Sequence, residues 1–287
     1  MGTHTFGRSG WATTPDGRRL HYMQRGSGGT TVVFESGMGF SRSCWGLVQP
    51  AVASGARAVV YDRAGFGRSD ADTHPRTLDR LAADLGSLLD SLGPGPFVLV
   101  GHSWGGPIVR VAAAAAPSRI AGIVLVDQSD ENCGLYFSRA ARWQFALSAA
   151  LTPVLARTGL YRLMGAGAGS VQPPDVAAEH RAEDFSPAAA RAANAELRPF
   201  LGELGALRGN SPQLGEIPVT LISGTSAGRM ERSQRAAIVE AHRVTAAGLT
   251  RARVVEAPAS GHMVMFSEPE LIVDEILALV GPHRAGG

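Results

Sequence analysis

Lysine is absent from the 287-residue sequence, and all 27 basic side chains are arginine. That excludes Schiff-base chemistry, which needs an amine nucleophile, and the P-loop, which needs its signature lysine. Cysteine is nearly absent too. Cys44 and Cys133 are too far apart for a CxxC pair and too few for a zinc site or a disulfide framework, so they read as free thiols. No run of about 18 apolar residues, the least that spans a bilayer, occurs anywhere. The start, MGTHTFGRSG, has neither the basic nor the apolar region of a signal peptide. The expected location is therefore cytoplasmic, with no membrane partner. An excess of one charge is missing as well: 27 basic against 25 acidic residues leave +2, with no basic stripe for nucleic acid. The expected partner is a small-molecule substrate, and oligomeric state is left open.

No metal-ligand spacing and no cofactor fingerprint occurs, so neither a metal nor a cofactor is expected. The one Gly-rich stretch with that flavour, GAGAGS at 165–170, follows no strand and reads as a turn. No repeat of the solenoid or propeller length is visible.

What the sequence does contain is alternation. Short β-branched runs, at Arg19–Gln24, Thr31–Ser36, Ala58–Asp62, Phe97–Gly101, Ile120–Asp127, Val219–Ser223 and Arg253–Ala257, read as strands. Helical patterns fall between and after them, at Ser41–Ser54, Thr77–Leu92, Trp104–Ala116, Arg232–Ala247 and Pro269–Val280. That order predicts an α/β fold with a mostly parallel sheet flanked by helices. About ninety residues after Asp127 contain no convincing strand, only helical patterns near Ser138–Thr158 and Pro187–Leu207. The expected organisation is one core, 1–128 and 216–287, interrupted by a helical lid at 129–215.

The chemistry concentrates in FVLVGHSWGG, Phe97 to Gly106. An apolar strand runs into Gly101-His102-Ser103-Trp104-Gly105, which fits G-x-S-x-G, and the helical PIVRVAAAAA follows. Strand, sharp turn and helix in that order form a nucleophile elbow, with Ser103 as nucleophile. His102 is expected to be structural, because its position points it away from the serine side. A serine hydroxyl needs a base. Of eight histidines, only His262 sits in a loop directly after the last strand and before the last helix; His4, His21, His74, His180, His242 and His283 lie in termini, strands, helices or a Pro-flanked loop. An oxyanion needs backbone N–H donors, one from the residue after the nucleophile and one from the turn after an early strand. These are Trp104 and, in VVFESGMGF, Met38.

At these residues the chain resembles the α/β-hydrolase family. YDRAGFGRSD (Tyr61–Asp70) is similar to the family's strand-and-turn segment, SGMG (Ser36–Gly39) stands where an HG pair is usual, and SGHMVMFSEPELI closes the chain. The resemblance implies this fold, a lid and a Ser–acid–His triad. Two departures stand out. Ser36 replaces the usual histidine, and no carboxylate follows IPVTLISG before Glu231. A less common family arrangement puts the acid after the preceding strand, where IVLVDQSDEN offers Asp127. Asp127 is the preferred acid and Glu231 the alternative, with Asp130 and Glu131 behind them; a turn-capping role for Asp127 stays open.

The resulting expectation is a cofactor-independent serine hydrolase of an ester, lactone, thioester or similar acyl bond. Carbon–carbon bond hydrolysis with the same residues is the alternative, and a non-catalytic ligand-binding protein is a third reading. Epoxide hydrolase and dehalogenase chemistry would need an aspartate at position 103. The lid's Tyr136, Phe137, Trp143, Phe145, Leu147, Leu151, Tyr161 and Phe185 imply a largely apolar acyl or alcohol moiety, or simply pack the lid's own helices.

Overall fold

The computed structural model describes residues 4–164 and 169–281. The first four residues of the GAGAGS stretch, and His283, lie outside them. In chain order the elements are β1 (Arg8–Thr13), β2 (Arg19–Arg25), β3 (Thr31–Glu35), α1 (Gln49–Val52), β4 (Arg57–Tyr61), α2 (Leu78–Leu92), β5 (Phe97–His102), α3 (Gly105–Ala115) and β6 (Ile120–Val126). Four helices come next: α4 (Arg139–Thr158), α5 (Leu160–Met164), α6 (Pro174–Glu183) and α7 (Pro187–Leu207). The chain closes with β7 (Val219–Gly224), α8 (Arg232–Ala247), β8 (Ala252–Ala257), α9 (Val264–Ser267) and α10 (Pro269–Val280).

The strands form one eight-stranded sheet in the order β1-β2-β4-β3-β5-β6-β7-β8. β1–β2 and β2–β4 pair antiparallel, and every later pair is parallel. Parallel strands covered on both faces carry continuous apolar runs, and TVVFE, FVLVGH and VTLISG are buried at every position. The two-residue period then splits the core. Val33, Val59, Leu99 and Leu125 face α2 and α3, whereas Phe34, Val60, Val100 and Val126 face α1 and α10. α2 shows the matching helical period, burying Leu81, Leu85, Leu88 and Leu92 behind a Thr77 cap that accepts from the Arg80 N–H.

Two local expectations fail. β1 was not anticipated because it is an edge strand with only Ala12 buried, so RSGWAT has no apolar alternation to detect. The helix expected over Ser41–Ser54 is a 3-10 turn at Arg42–Trp45 followed by the short α1. Pro50, which lacks an N–H, is accommodated only in the first turn of a new helix.

Between β6 and β7 the helices α4 to α7 stand together. Phe200 of α7 is their anchor, packing edge-on at 4.8 Å from Trp104 and at 5.3 Å from Phe145 of α4. α6 is held by buried Arg42, which bonds Asp62 at 2.6 Å, Glu179 at 2.6 Å and Glu183 at 2.8 Å. Among the described residues no helix is long and apolar enough to cross a membrane.

Candidate active site

Ser103 follows directly on β5 with φ +51°, in the left-handed region that side chains rarely occupy. Such a residue costs about 1–3 kcal/mol and persists only when its surroundings fix it. Here the Ser103 N–H donates to Val126 O at 3.1 Å, and the Ser103 carbonyl accepts from Gly106 and Ser129 N–H at 3.0 and 2.9 Å. The flanking glycines are required by close approach. A Cβ on Gly101 would lie 2.5 Å from Gly105 O, and one on Gly105 would lie 2.6 Å from Glu35 O.

β6 and β7 bring the second component. Asp127, just beyond β6, also has positive φ, +40°, and its N–H donates to Ile222 O at 2.7 Å. His262 Nδ1 lies 2.7 Å from Asp127 Oδ2. Because a carboxylate only accepts, Nδ1 carries the hydrogen and Nε2 is left as the basic nitrogen. The other carboxylate oxygen accepts from Gly224 N–H at 3.1 Å and from Arg235 Nη1 at 2.5 Å. Burial of Asp127 opposes its ionisation, but the bonds from His262 and Arg235 outweigh it and bring the carboxyl down to about 2. The loop carrying His262 runs so close to β7 that a Cβ on Gly224 would collide with Gly261 O.

Glu231 does not share this position. It stands exposed at the N-terminus of α8, and His262 Nδ1 is bonded to Asp127 instead. Asp130 is committed to Thr245 and Gln128, and Glu131 to a fork with buried Arg110 at 2.7 and 2.8 Å. Ser103 Oγ has no hydrogen bond of its own among the described residues, and it lies in the turn next to His102, whose ring is 4.7 Å from that of His262.

His102, expected to be structural, has its Nε2 3.1 Å from the His262 carbonyl oxygen, which makes Nε2–H the donor. Burial, reinforced by the neighbouring His262, pushes its pKa down to about 3, so the ring is neutral at physiological pH. His102 therefore tethers the loop of His262. Its place beside the nucleophile was visible in the sequence, but its partner was not, and nothing in the pattern of α8 marked Arg235.

The turn after β3 packs against the elbow. A Cβ on Gly37 would sit 2.8 Å from His102 Nδ1 and 3.1 Å from Ser103 Cβ. Buried Arg63 holds this turn, donating to Ser36 O at 2.5 Å and Gly37 O at 2.9 Å, while Glu35 at 2.7 Å and Glu196 of α7 at 2.9 Å neutralise it. In a trans peptide the carbonyl and N–H point oppositely, so Arg63 on Gly37 O turns the half-buried Met38 N–H to the far side. Trp104 caps α3 and is buried. Ser36, standing in place of a histidine, uses its hydroxyl to donate to Ser41 O at 2.9 Å and to accept from Trp45 Nε1 at 3.1 Å. It stiffens the turn and makes no bond to Ser103.

Beside Met38 and Gly39 opens a cavity of about 370 Å³, walled by Ser148, Leu151, Thr152, Leu155 and Tyr161 and by Asn194 and Leu197 of α7. A second, of about 220 Å³, shares Ser148 and Leu197 and adds Tyr136 and Phe145. Together they fall within the size usual for small-molecule sites. A larger space of about 580 Å³ beside α8 meets this arrangement only at Arg235. Not every apolar residue expected to line the pocket does so. Phe137 packs under Arg208 and Phe185 against Tyr161, while Trp143 and Leu147 point outward, 79% and 57% exposed. Helical periodicity identifies an apolar stripe but not which way it faces.

Of groups able to ligate a metal, Asp16, Asp72 and His74 lie together, but Arg18, Arg76 and Arg80 already neutralise the two carboxylates.

The sheet, the elbow and the hydrogen-bonded His–Asp pair belong to one known class: residues 32–275 match the alpha/beta hydrolase family, and the chain belongs to it. Among its relatives is the non-heme chloroperoxidase of Streptomyces lividans, 37% identical over 120 residues, which are 41% of this chain and 44% of that protein. Another is 2-hydroxy-6-oxononadienedioate/2-hydroxy-6-oxononatrienedioate hydrolase 1 of Dechloromonas aromatica (strain RCB), 36% identical over 113 residues, 38% of this chain and 39% of that protein. The chain thus spans less than half the length of these curated relatives. Over the whole fold it is similar to a thermophilic esterase from Thermogutta terrifontis, with a TM-score of 0.71, 22% identity and coverage of 96% of this chain and 100% of that one. The family hosts different chemistries on one scaffold.

Proposed function

We propose that the protein is a serine hydrolase that cleaves a carboxylic ester or a related acyl bond of a small, largely apolar substrate. The observation that carries this reading is the 2.7 Å bond from His262 Nδ1 to Asp127 Oδ2, made beside a serine held at φ +51° on its elbow. With Nδ1–H committed to Asp127, the unprotonated Nε2 takes the Ser103 proton as Oγ attacks the carbonyl carbon. The bond between Ser103 Oγ and Nε2, not made in the empty site, forms when substrate arrives, as catalytic hydrogen bonds often do. The oxyanion receives the N–H groups of Trp104 and Met38, the latter oriented by Arg63. The imidazolium, stabilised by Asp127, returns its proton to the leaving alcohol; water then repeats the sequence on the acyl-enzyme. The helices α4 to α7 serve as the lid of this site.

A fluorophosphonate probe with p-nitrophenyl esters of graded chain length tests the proposal. Covalent labelling and ester turnover in the wild type, both absent in Ser103→Ala, are expected. Absence of labelling in the folded wild type would refute the reading and leave a ligand-binding protein. A diketone substrate in the same panel separates carbon–carbon bond hydrolysis, the chemistry of a diketone cleaved by the same three residues.

A further inference from the structure

α4 has two opposed faces. On one, Phe145, Ser148 and Leu155 turn toward α7 and the cavities. On the other, Trp143, Leu147, Leu151 and Val154 recur at spacings of four, four and three, one stripe of a helix, and are 79%, 57%, 46% and 55% exposed. Scattered surface apolar residues are ordinary, but a contiguous stripe led by a tryptophan marks something that covers it.

The charge around the stripe says what. From Asn132 to Pro174 the chain has no Asp or Glu, yet it carries Arg139, Arg142, Arg157 and Arg162. None of these arginines forms an ion pair among the described residues, although most arginines elsewhere in the chain's core do. Arg139 and Arg157 are about five turns apart at ~3.6 residues per turn, so they line up along the edge of the stripe beside Trp143. A second copy of this chain docked here would bring rows of arginine together. An anionic, apolar-cored partner satisfies both the charge and the side chains.

We propose that the outer face of α4 docks on an anionic phospholipid surface. Trp143, Leu147 and Val154 enter the boundary between headgroups and acyl chains, and Arg139 and Arg157 meet the phosphates, the arrangement of an interfacial helix lying in the membrane plane. The helix is not apolar enough to cross, which agrees with a flat orientation. Leu151 belongs both to this stripe and to the wall of the cavity beside Met38. An amphiphile therefore passes from the lipid into the cavity without crossing water. That delivery rests on the proposed role of Ser103; the docking does not.

The test is sedimentation with vesicles of phosphatidylcholine and of phosphatidylcholine mixed with phosphatidylglycerol, together with tryptophan fluorescence. Trp45 and Trp104 are buried and Trp11 on β1 is 45% exposed, so the shift due to Trp143 is read as the part that Trp143→Ser abolishes. Binding to the anionic vesicles with a blue shift, weakened by salt, is expected. Arg139→Glu with Arg157→Glu should weaken binding at least about thirtyfold, since each arginine near an anionic surface is worth roughly fivefold. Trp143→Ser with Leu147→Ser should weaken it about as much and leave turnover of a short soluble ester unchanged. No binding by the wild type, or undiminished binding by both double variants, overturns the proposal. So does a concentration-dependent wild-type dimer that the Trp143→Ser, Leu147→Ser protein no longer forms and that binds no vesicle. Loss of Ser103 labelling with vesicle binding intact would instead remove only the catalytic reading.

Discussion

Asp127→Asn is the sharpest perturbation of the site because the surrounding donors dictate how the new amide must lie. Asp127 Oδ1 accepts from the Gly224 N–H and from Arg235 Nη1, and both are donors only. The amide oxygen of the asparagine must therefore occupy that side, which leaves its NH₂ facing His262 Nδ1. An NH₂ is itself a donor, so His262 is forced to present an unprotonated Nδ1 and to carry its hydrogen on Nε2. In that tautomer it cannot take a proton from Ser103. The expected loss in kcat approaches ~10⁴, the scale measured when a triad histidine is held in the wrong tautomer, or about 5 kcal/mol of transition-state stabilisation. Fold should survive, because the side chain remains buried, isosteric and bonded to Gly224. The assay is initial-rate kinetics on a p-nitrophenyl ester, with circular dichroism and a thermal melt on the same preparation. A folded variant within tenfold of wild-type kcat would refute the reasoning, and a large loss in Glu231→Gln instead would move the acid to α8.

Ser103→Ala and His262→Ala should each abolish most turnover, and the double variant should lose little more, since members of one catalytic unit are non-additive; additive losses in kcat would contradict a shared mechanism. Arg63→Ala should strand the buried carboxylates of Glu35 and Glu196 and cost about 3–5 kcal/mol, lowering Tm by roughly 10 °C in calorimetry. A shift below about 2 °C would show that Arg63 is dispensable. Asp127 has a folded pKa near 2 against its ordinary 3.8, so its contribution is present above the ordinary value and is lost as pH falls toward 2. That amounts to about 2 kcal/mol, and urea melts of Asp127→Asn should show a correspondingly smaller loss between about pH 5 and pH 2 than wild type.

The parallel core and the elbow were legible because they are local: a strand buried on both faces must be apolar throughout, and a strand-to-helix turn this tight admits only glycine two residues to either side of the serine. Asp127 and His262 were nameable from their positions at strand ends, which are the places a parallel sheet brings to one edge. Arg235, Arg63 and Glu196 were not. Each acts through a partner more than a hundred residues away or in another layer, and an arginine on a helix looks the same in sequence whether it is solvated or clamped to a buried carboxylate. The edge strand β1 escaped because it buries almost nothing, and the outward direction of Trp143 escaped because period fixes a stripe but not the side it faces. The docking proposed for that stripe would revise the expectation of no membrane contact, which rested on the lack of a spanning segment and was silent about a helix lying flat.

The pairing of Glu196 with Arg63 divides the insertion into a fixed and a movable half. Swinging α7 away would part Glu196 from Arg63 and leave the buried guanidinium with Glu35 alone; breaking such a pair costs about 3–5 kcal/mol, so that state is populated less than once in a hundred molecules. α6 is tied in the same way through Arg42. α4, by contrast, buries only Ala156 and ends at Gly159 in the left-handed conformation. Under the proposed lid role, traffic into the cavity passes at α4 and α5, as a gate hung on an immobile frame, and amide exchange should be fastest over residues 139–164 and slow along α7.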